Sequence, residues 1–256
     1  MSLLINSENK NNKIIGKIYK SKTNTLKNSN INVYFSDNDN GKIKEIQMEK
    51  NEKFSITMSS NLIDSLFVVA PRGTGKTTIL SNIARQHKGH IYLFSRFDIG
   101  DKLGEEPAFM GIKNIKKIDC YDLFESNNNE QIDIKEFSNS MVIMDDIQTL
   151  KDKKVVKFMN RLRDEILESG RKMNILLLVS EHLLLNHKEN AYPLLESKAI
   201  IISPMGNNVQ NKFFLRQYCC LDNILINELL ESGTRFITVI KSIPKILITD
   251  NNISII

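Results

Sequence analysis

One short stretch, Ala70-Pro71-Arg72-Gly73-Thr74-Gly75-Lys76-Thr77, constrains this chain more than any other. It follows the apolar run LFVVA at 66–70 and opens a helix-period segment at about 76–86. Strand, glycine-rich turn and helix in that order are the context in which a phosphate-binding loop works. The loop departs from the usual pattern in carrying Ala70 where the first glycine stands. Several backbone N–H groups have to converge on an anion, which requires a tight turn. Gly73 and Gly75 permit the unusual backbone angles and leave no side chain in the way. The expected cradle is Pro71, Arg72, Gly73, Thr74, Gly75, Lys76, Thr77 and Thr78, with the positive end of the following helix behind it. Lys76 is placed to reach the β- and γ-phosphates and the Thr77 hydroxyl to ligate Mg²⁺, so the expected ligands are ATP and Mg²⁺.

A second element is Met141-Val142-Ile143-Met144-Asp145-Asp146, an apolar strand ending in two carboxylates. Carboxylates at strand ends also serve as helix caps, but beside a phosphate loop they fit catalysis. Asp145 would hold hydrated Mg²⁺, and Asp146 would orient and polarise the water that attacks the γ-phosphate. A third element, the run ILLLVS at 175–180, ends in Ser180-Glu181-His182. A polar group here is a candidate sensor of the γ-phosphate, with His182 the first choice and Ser180 the competitor.

Around these motifs, apolar runs at 66–70, 91–94, 115–119, 141–144, 175–179 and 199–202 alternate with helix-period segments. That alternation predicts an α/β fold with a mainly parallel central sheet flanked by helices. Residues 153–168 are amphipathic, with Val155, Phe158, Met159, Leu162 and Ile166 on one stripe and Lys153, Lys157, Arg161, Asp164 and Glu168 on the other. Further helices are expected at about 208–218 and 223–232, then a terminal pair of strands, RFITVI and KILIT. Residues 1–60 differ. Short β-alternating stretches from 13, 31, 42 and 53, separated by turn clusters, predict three or four strands in hairpins. The expected division is therefore a β-rich segment at 1–60 and an ATPase domain at 61–256.

Composition narrows the class. Of 256 residues, 41% are hydrophobic and 25% charged, and no apolar run reaches the ~18 residues of a membrane span. The first ten residues lack a basic segment followed by an apolar one, so neither a leader nor an anchor is expected. Three cysteines, Cys120, Cys219 and Cys220, form no disulfide framework or metal spacing. The formal charge of +5 permits a polyanionic partner without demanding one.

Between Lys76 and Asp145 lie two strand candidates, 91–94 and 115–119, which leaves room for a strand inserted between the phosphate-loop strand and the carboxylate strand. With an acid directly after Asp145, this resembles the division of P-loop ATPases that has an additional strand and a catalytic acid. The PRGTGKTT loop, LFSR at 93–96, VIMDDIQTL at 142–150 and ESGRKMNILLLVSEH at 168–182 together resemble the genome-packaging ATPases of nucleocytoplasmic large DNA viruses, within the FtsK-HerA superfamily. The resemblance covers about 62–220. It implies a homo-oligomeric ring that pumps double-stranded DNA, without regard to sequence, into a preformed capsid, with a capsid or portal component as partner. The expected location is the host cytoplasm at the viral factory, with the virion as a second place. It also implies an arginine supplied to the neighbouring subunit's site, for which Arg171 is the first choice and Arg163 the second. Asp146 stands where many relatives have Glu, and Ser180-Glu181-His182 where they have Gln or Asn. DNA contact has no motif; Lys151, Lys153, Lys154 and Lys157 form the densest basic cluster, ahead of Lys212 and Arg216. Two other readings stay open on the same loop: a phosphotransferase of kinase type, and a nucleotide-dependent assembly scaffold with little turnover.

Overall fold

The computed structural model describes residues 2–6, 12–20, 31–36, 43–95, 107–127, 132–182, 191–205 and 208–256. The chain divides into two compact units, Met1–Ile63 together with Lys198–Ile256, and Asp64–Ser197. The first begins with β1 (Ser2–Ile5), β2 (Lys13–Lys20), β3 (Ile31–Ser36), β4 (Glu45–Gln47) and β5 (Glu52–Ile56). Four of these form an antiparallel sheet in the order β1-β3-β2-β5. A register shift between Ile14 and Gly16 inserts an extra residue into β2, so Ile15 and Ile18, an odd number apart, are both buried. Strand β1 was not expected from sequence, because SLLI is too short to show a period. The turn clusters at 21–30 and 37–41 lie outside the described residues.

The second unit contains β6 (Ser65–Val69), α1 (Lys76–Ala84), β7 (His90–Ser95), β8 (Ile115–Asp119), α2 (Cys120–Ser126), β9 (Ser140–Asp145), α3 (Lys153–Ser169), β10 (Leu176–Glu181) and α4 (Ala191–Glu196). Its five described strands are parallel, in the order β6-β10-β9-β7-β8. Every residue of β6, β9 and β10 is buried. Parallel strands covered on both faces need apolar side chains throughout, which is why these three read as unbroken runs rather than alternations. The strand between the phosphate-loop strand β6 and the carboxylate strand β9 is β10, which follows both in sequence. The two candidates that intervene in sequence are β7 and β8, and they lie beyond β9. Crossover connections carry a chain past its neighbours, so order along the chain does not set order in the sheet. Arg96 of the LFSR stretch lies outside the described residues.

Helix α3 buries Val155, Phe158, Met159, Leu162 and Ile166, as its periodicity predicts, and starts where the Asp152 carboxylate accepts a bond from the Lys154 N–H. Helix α2, not expected from sequence, is capped in the same way by Asp119, which accepts from the N–H groups of Tyr121 and Asp122.

The chain then returns to the first unit with β11 (Ala199–Ile202), α5 (Asn208–Gln217), α6 (Asn223–Glu231), β12 (Ile237–Ile240), β13 (Ile246–Ile248) and β14 (Asn252–Ile255). Here β11-β12-β13-β14-β4 are antiparallel neighbours. The expected terminal pair is therefore a triplet. Its last member sets Ile253 opposite Ile46, which ties the C-terminal stretch to the N-terminal one and makes this unit discontinuous in sequence. No helix among the described residues is long and apolar enough to cross a membrane.

Since β10 is held on both sides, its core should be sensitive to truncation. Leu178→Ala removes a side chain with 0% exposure. It is expected to cost about 2–5 kcal/mol, measured as a shift in the denaturant midpoint at unchanged slope.

Candidate functional site

Parallel pairing aligns the carboxyl ends of three strands. Glu181 of β10 sits opposite Val69 of β6, and Ser180 opposite Asp145 of β9. Ligands of open parallel sheets bind at these ends. The turn from β6 into α1 lies there, with Gly73 at φ +77 and Gly75, the N-cap of α1, at φ +102. Both angles are in the left-handed region, where a side chain would strain the backbone. Thr74 ties the turn to itself, its Oγ1 donating to the Pro71 carbonyl at 2.7 Å. Arg72, Gly73 and Thr78 are exposed, while Pro71, Thr74, Gly75 and Thr77 are half-buried.

Lys76 is only 4% exposed. Its Nζ donates to the Ala70 carbonyl at 3.0 Å and lies 2.9 Å from Nδ1 of His182. Burial holds the Lys76 pKa below its ordinary value, against the opposing pull of Asp146 and Asp145. The far side of the imidazole faces Asp146, with Nε2 at 2.9 Å from Oδ2. An ammonium has no acceptor capacity, so Nδ1 accepts from Lys76 and Nε2–H donates to Asp146. One histidine thus joins the phosphate-loop lysine to the second carboxylate.

The two carboxylates have separate surroundings. Asp145 is 4% exposed; it accepts from Thr77 Oγ1 at 3.3 Å on Oδ2 and from the Ser180 hydroxyl on Oδ1. Asp146 follows the strand in the left-handed region, at φ +51, with its side chain 27% exposed. It stands at the N-cap of a short 3₁₀ turn, Ile147–Thr149, yet its side chain makes no capping bond. The capping role that the strand-end position allows is not used. Its N–H is held at 3.2 Å by the Ser180 carbonyl, and its Oδ1 is buried without a hydrogen-bond partner among the described residues. Ser180 therefore anchors both members of the pair.

Sequence reasoning missed a buried arginine–carboxyl contact beside this cluster. Arg163 of α3, 2% exposed, has Nη1 3.3 Å from Oε1 of Glu181 and Nε 2.9 Å from Asp164. As the second choice for an arginine offered to a neighbouring subunit, Arg163 is corrected: it is enclosed within its own unit. Its spacing carried the signal, since it lies four residues after Met159 and three before Ile166, both on the buried face of α3. Burial pushes the Glu181 carboxyl up to about 8, against the attraction of Arg163 and a hydrogen bond to Gln148. Adjacent strand residues face opposite ways, so Ser180 turns to Asp145 and Glu181 to α3.

Arg171 is exposed, its Nε 3.8 Å from Asp64, and does not join the cluster. Lys151, Lys153, Lys154, Lys157, Lys212 and Arg216 are exposed as well. No group of three or more His, Cys, Asp or Glu suited to a metal occurs among the described residues.

A strand, a phosphate-loop turn and a helix at the carboxyl edge of a parallel sheet, with paired acids on a nearby strand end, define the P-loop NTPase fold class. The chain matches no family model. It is 25% identical over 194 residues to uncharacterized protein V3 of Sputnik virophage, covering 73% of this chain and 74% of that protein. Among solved structures, it resembles the genome packaging NTPase B204 of Sulfolobus turreted icosahedral virus 2 in complex with sulfate. There the identity is 11%, the coverage 74% of this chain and 96% of that one, and the TM-score 0.48. A second resemblance, to the pCW3 conjugation coupling protein TcpA with ATPγS, has 12% identity, coverage of 94% and 77%, and a TM-score of 0.48.

Glu181 gives the site a pH signature. Its folded pKa of about 8 exceeds the ordinary value of 4.5, so between those limits the folded state binds the proton that the unfolded state releases. Stability from this group is complete below about pH 4.5 and is lost as pH rises towards 8. Thermal unfolding midpoints across pH 5–8 should show a downward component in the wild type that Glu181→Gln removes.

Proposed function

We propose that the chain is an ATP-hydrolysing motor that moves double-stranded DNA into viral capsids during genome packaging. The observation that carries the hydrolytic part is the Lys76–His182–Asp146 chain, which links a phosphate-binding lysine to a carboxylate through hydrogen bonds of 2.9 Å each. DNA, a capsid or portal partner, and a ring of identical subunits follow from the motif resemblance, as do the viral factory and virion as locations.

In this reading the N–H groups of 71–78 and the start of α1 receive the ATP phosphates. Lys76 leaves the loop carbonyls and Nδ1 of His182 to meet the β- and γ-phosphates. Thr77 and Asp145 offer hard oxygen donors 3.3 Å apart, which fits Mg²⁺ because that ion keeps most of its waters and takes one or two protein oxygens. Bound there, Mg²⁺ would supply charge neutralisation at the β- and γ-oxygens. Asp146 takes the proton of the attacking water as the water oxygen bonds to the γ-phosphorus and the bond to the bridging oxygen of ADP breaks. His182, released from Lys76 when phosphate is present, reports occupancy by the orientation it imposes on Asp146. Arg171, exposed and outside the cluster, is the arginine offered to a neighbour's γ-phosphate.

Release of phosphate from ATP, stimulated by double-stranded DNA, is the expected activity. Lys76→Ala and Asp146→Asn should each lower kcat by about 10²–10⁴, while Asp146→Asn retains ATP binding. Mass measurement with ATP should show a homo-oligomer. Tight ATP binding and nucleotide-dependent assembly without phosphate release would sink the motor in favour of a scaffold. Transfer of phosphate to a small acceptor would replace it with a kinase.

A further inference from the structure

Helix α3 carries its charges in the order that its own dipole disfavours. Lys153, Lys154, Lys157 and Arg161 are exposed along the N-terminal half, and Lys151 is exposed just before it. Asp164, Glu165 and Glu168 occupy the C-terminal half. A helix N-terminus bears partial positive charge, so acids belong there and cations at the other end. The first turn of α3 holds no acid, leaving Asp152 at the N-cap as the counterweight. Lys153 with Lys157, and Lys157 with Arg161, are like-charged neighbours four residues apart, which destabilises a helix further.

Nothing among the described residues relieves this. Among the described residues, none of these five cations makes an ion pair, although Asp122 and Glu125 of α2 are also exposed. Lys153, Lys157 and Arg161 advance along the helix by about 6 Å and wind around it by about 40° at each step, which makes a slanted row of positive charge. The polyanion that fits is elongated and presents its charges at a surface. A lipid surface would need a free apolar stripe between the cations. The apolar stripe of α3 is instead committed to the core, with Val155, Phe158, Met159, Leu162 and Ile166 all buried. A chain of phosphates needs only the cations.

We infer that the N-terminal half of α3 is a docking surface for the phosphate backbone of double-stranded DNA, held through Lys151, Lys153, Lys154, Lys157 and Arg161. The surface stands on its own charges; only the duplex as the source of the phosphates rests on the motor reading. Its place couples it to the site. The 3₁₀ turn after Asp146 leads directly into α3, and Arg163 on the inner side of the helix grips Glu181, the neighbour of His182.

The test measures anisotropy of a short labelled duplex without nucleotide over a salt series, with the unfolding midpoint of each variant in parallel. Wild-type affinity should fall steeply with salt. The pair Lys153→Gln and Lys154→Gln should lower the log–log salt slope by about one for each cation removed. Lys157→Glu, which sets a carboxylate between Lys153 and Arg161, should weaken binding about tenfold or more and raise Tm by about 1–3 °C. Affinity and salt slope unchanged in both variants overturn the surface and leave the motor standing. Loss of binding with a lowered Tm in both variants also overturns it, because the charges would then serve the fold. Preference for anionic lipid vesicles over the duplex, or no wild-type binding to the duplex, overturns it as well. Intact α3-dependent binding with hydrolysis indifferent to DNA keeps the surface and rejects the motor.

Discussion

Strand β10, lying in parallel register between β6 and β9, is the constraint on which the rest of the site depends. Its backbone pairs on both edges, and its last residues reach both neighbouring strand ends. The Glu181 carbonyl accepts the Ala70 N–H at 3.3 Å, while the Ser180 carbonyl holds the N–H of Asp146 at 3.2 Å. A slip of one residue would exchange the faces of Ser180 and Glu181. It would turn the serine away from Asp145 and drive a carboxylate towards it. All six residues of β10 are buried on one face or the other, so burial alone does not choose between registers; the polar end does, because only this pairing sets Ser180 opposite Asp145.

The electrostatics of the unit are those of ionisable groups taken out of water and given partners. Lys76, Asp145, Arg163 and Glu181 are each no more than 4% exposed. An isolated buried charge is costly, and a pair repays that cost only with good geometry and further hydrogen bonds. Lys76 has loop carbonyls and His182; Asp145 has Thr77 and Ser180; Arg163 has two carboxylates. Two atoms fall outside this compensation, Oδ1 of Asp146 and Oε2 of Glu181, which are buried without partners among the described residues.

Much of this was legible in the sequence. The α/β class came from apolar runs alternating with helix-period segments, and the amphipathic stripe of α3 appeared with its buried residues correctly assigned. Both signals are local, and burial on two faces or one writes them directly into the order of residues. The elements missed were short: β1, α2, α4 and β14, whose few residues carry too little periodicity to stand out. Strand β14 also depends on a partner, β4, from the other end of the chain, and no local pattern records a partner.

The sequence by itself determined the phosphate loop, the strand ending in Asp145 and Asp146, and the polar end at Ser180-Glu181-His182, because each is a run of adjacent residues whose chemistry needs adjacency. The tertiary structure alone decided which of these meet. It set β10 rather than β7 or β8 beside β6, gave His182 to both Lys76 and Asp146, gave Ser180 to Asp145, and drew Arg163 inward to Glu181. The physical reason is that these contacts cross parallel strands joined by long connections. Strand order and register govern them, and both are settled by the packing of the whole unit rather than by the preferences of any one segment.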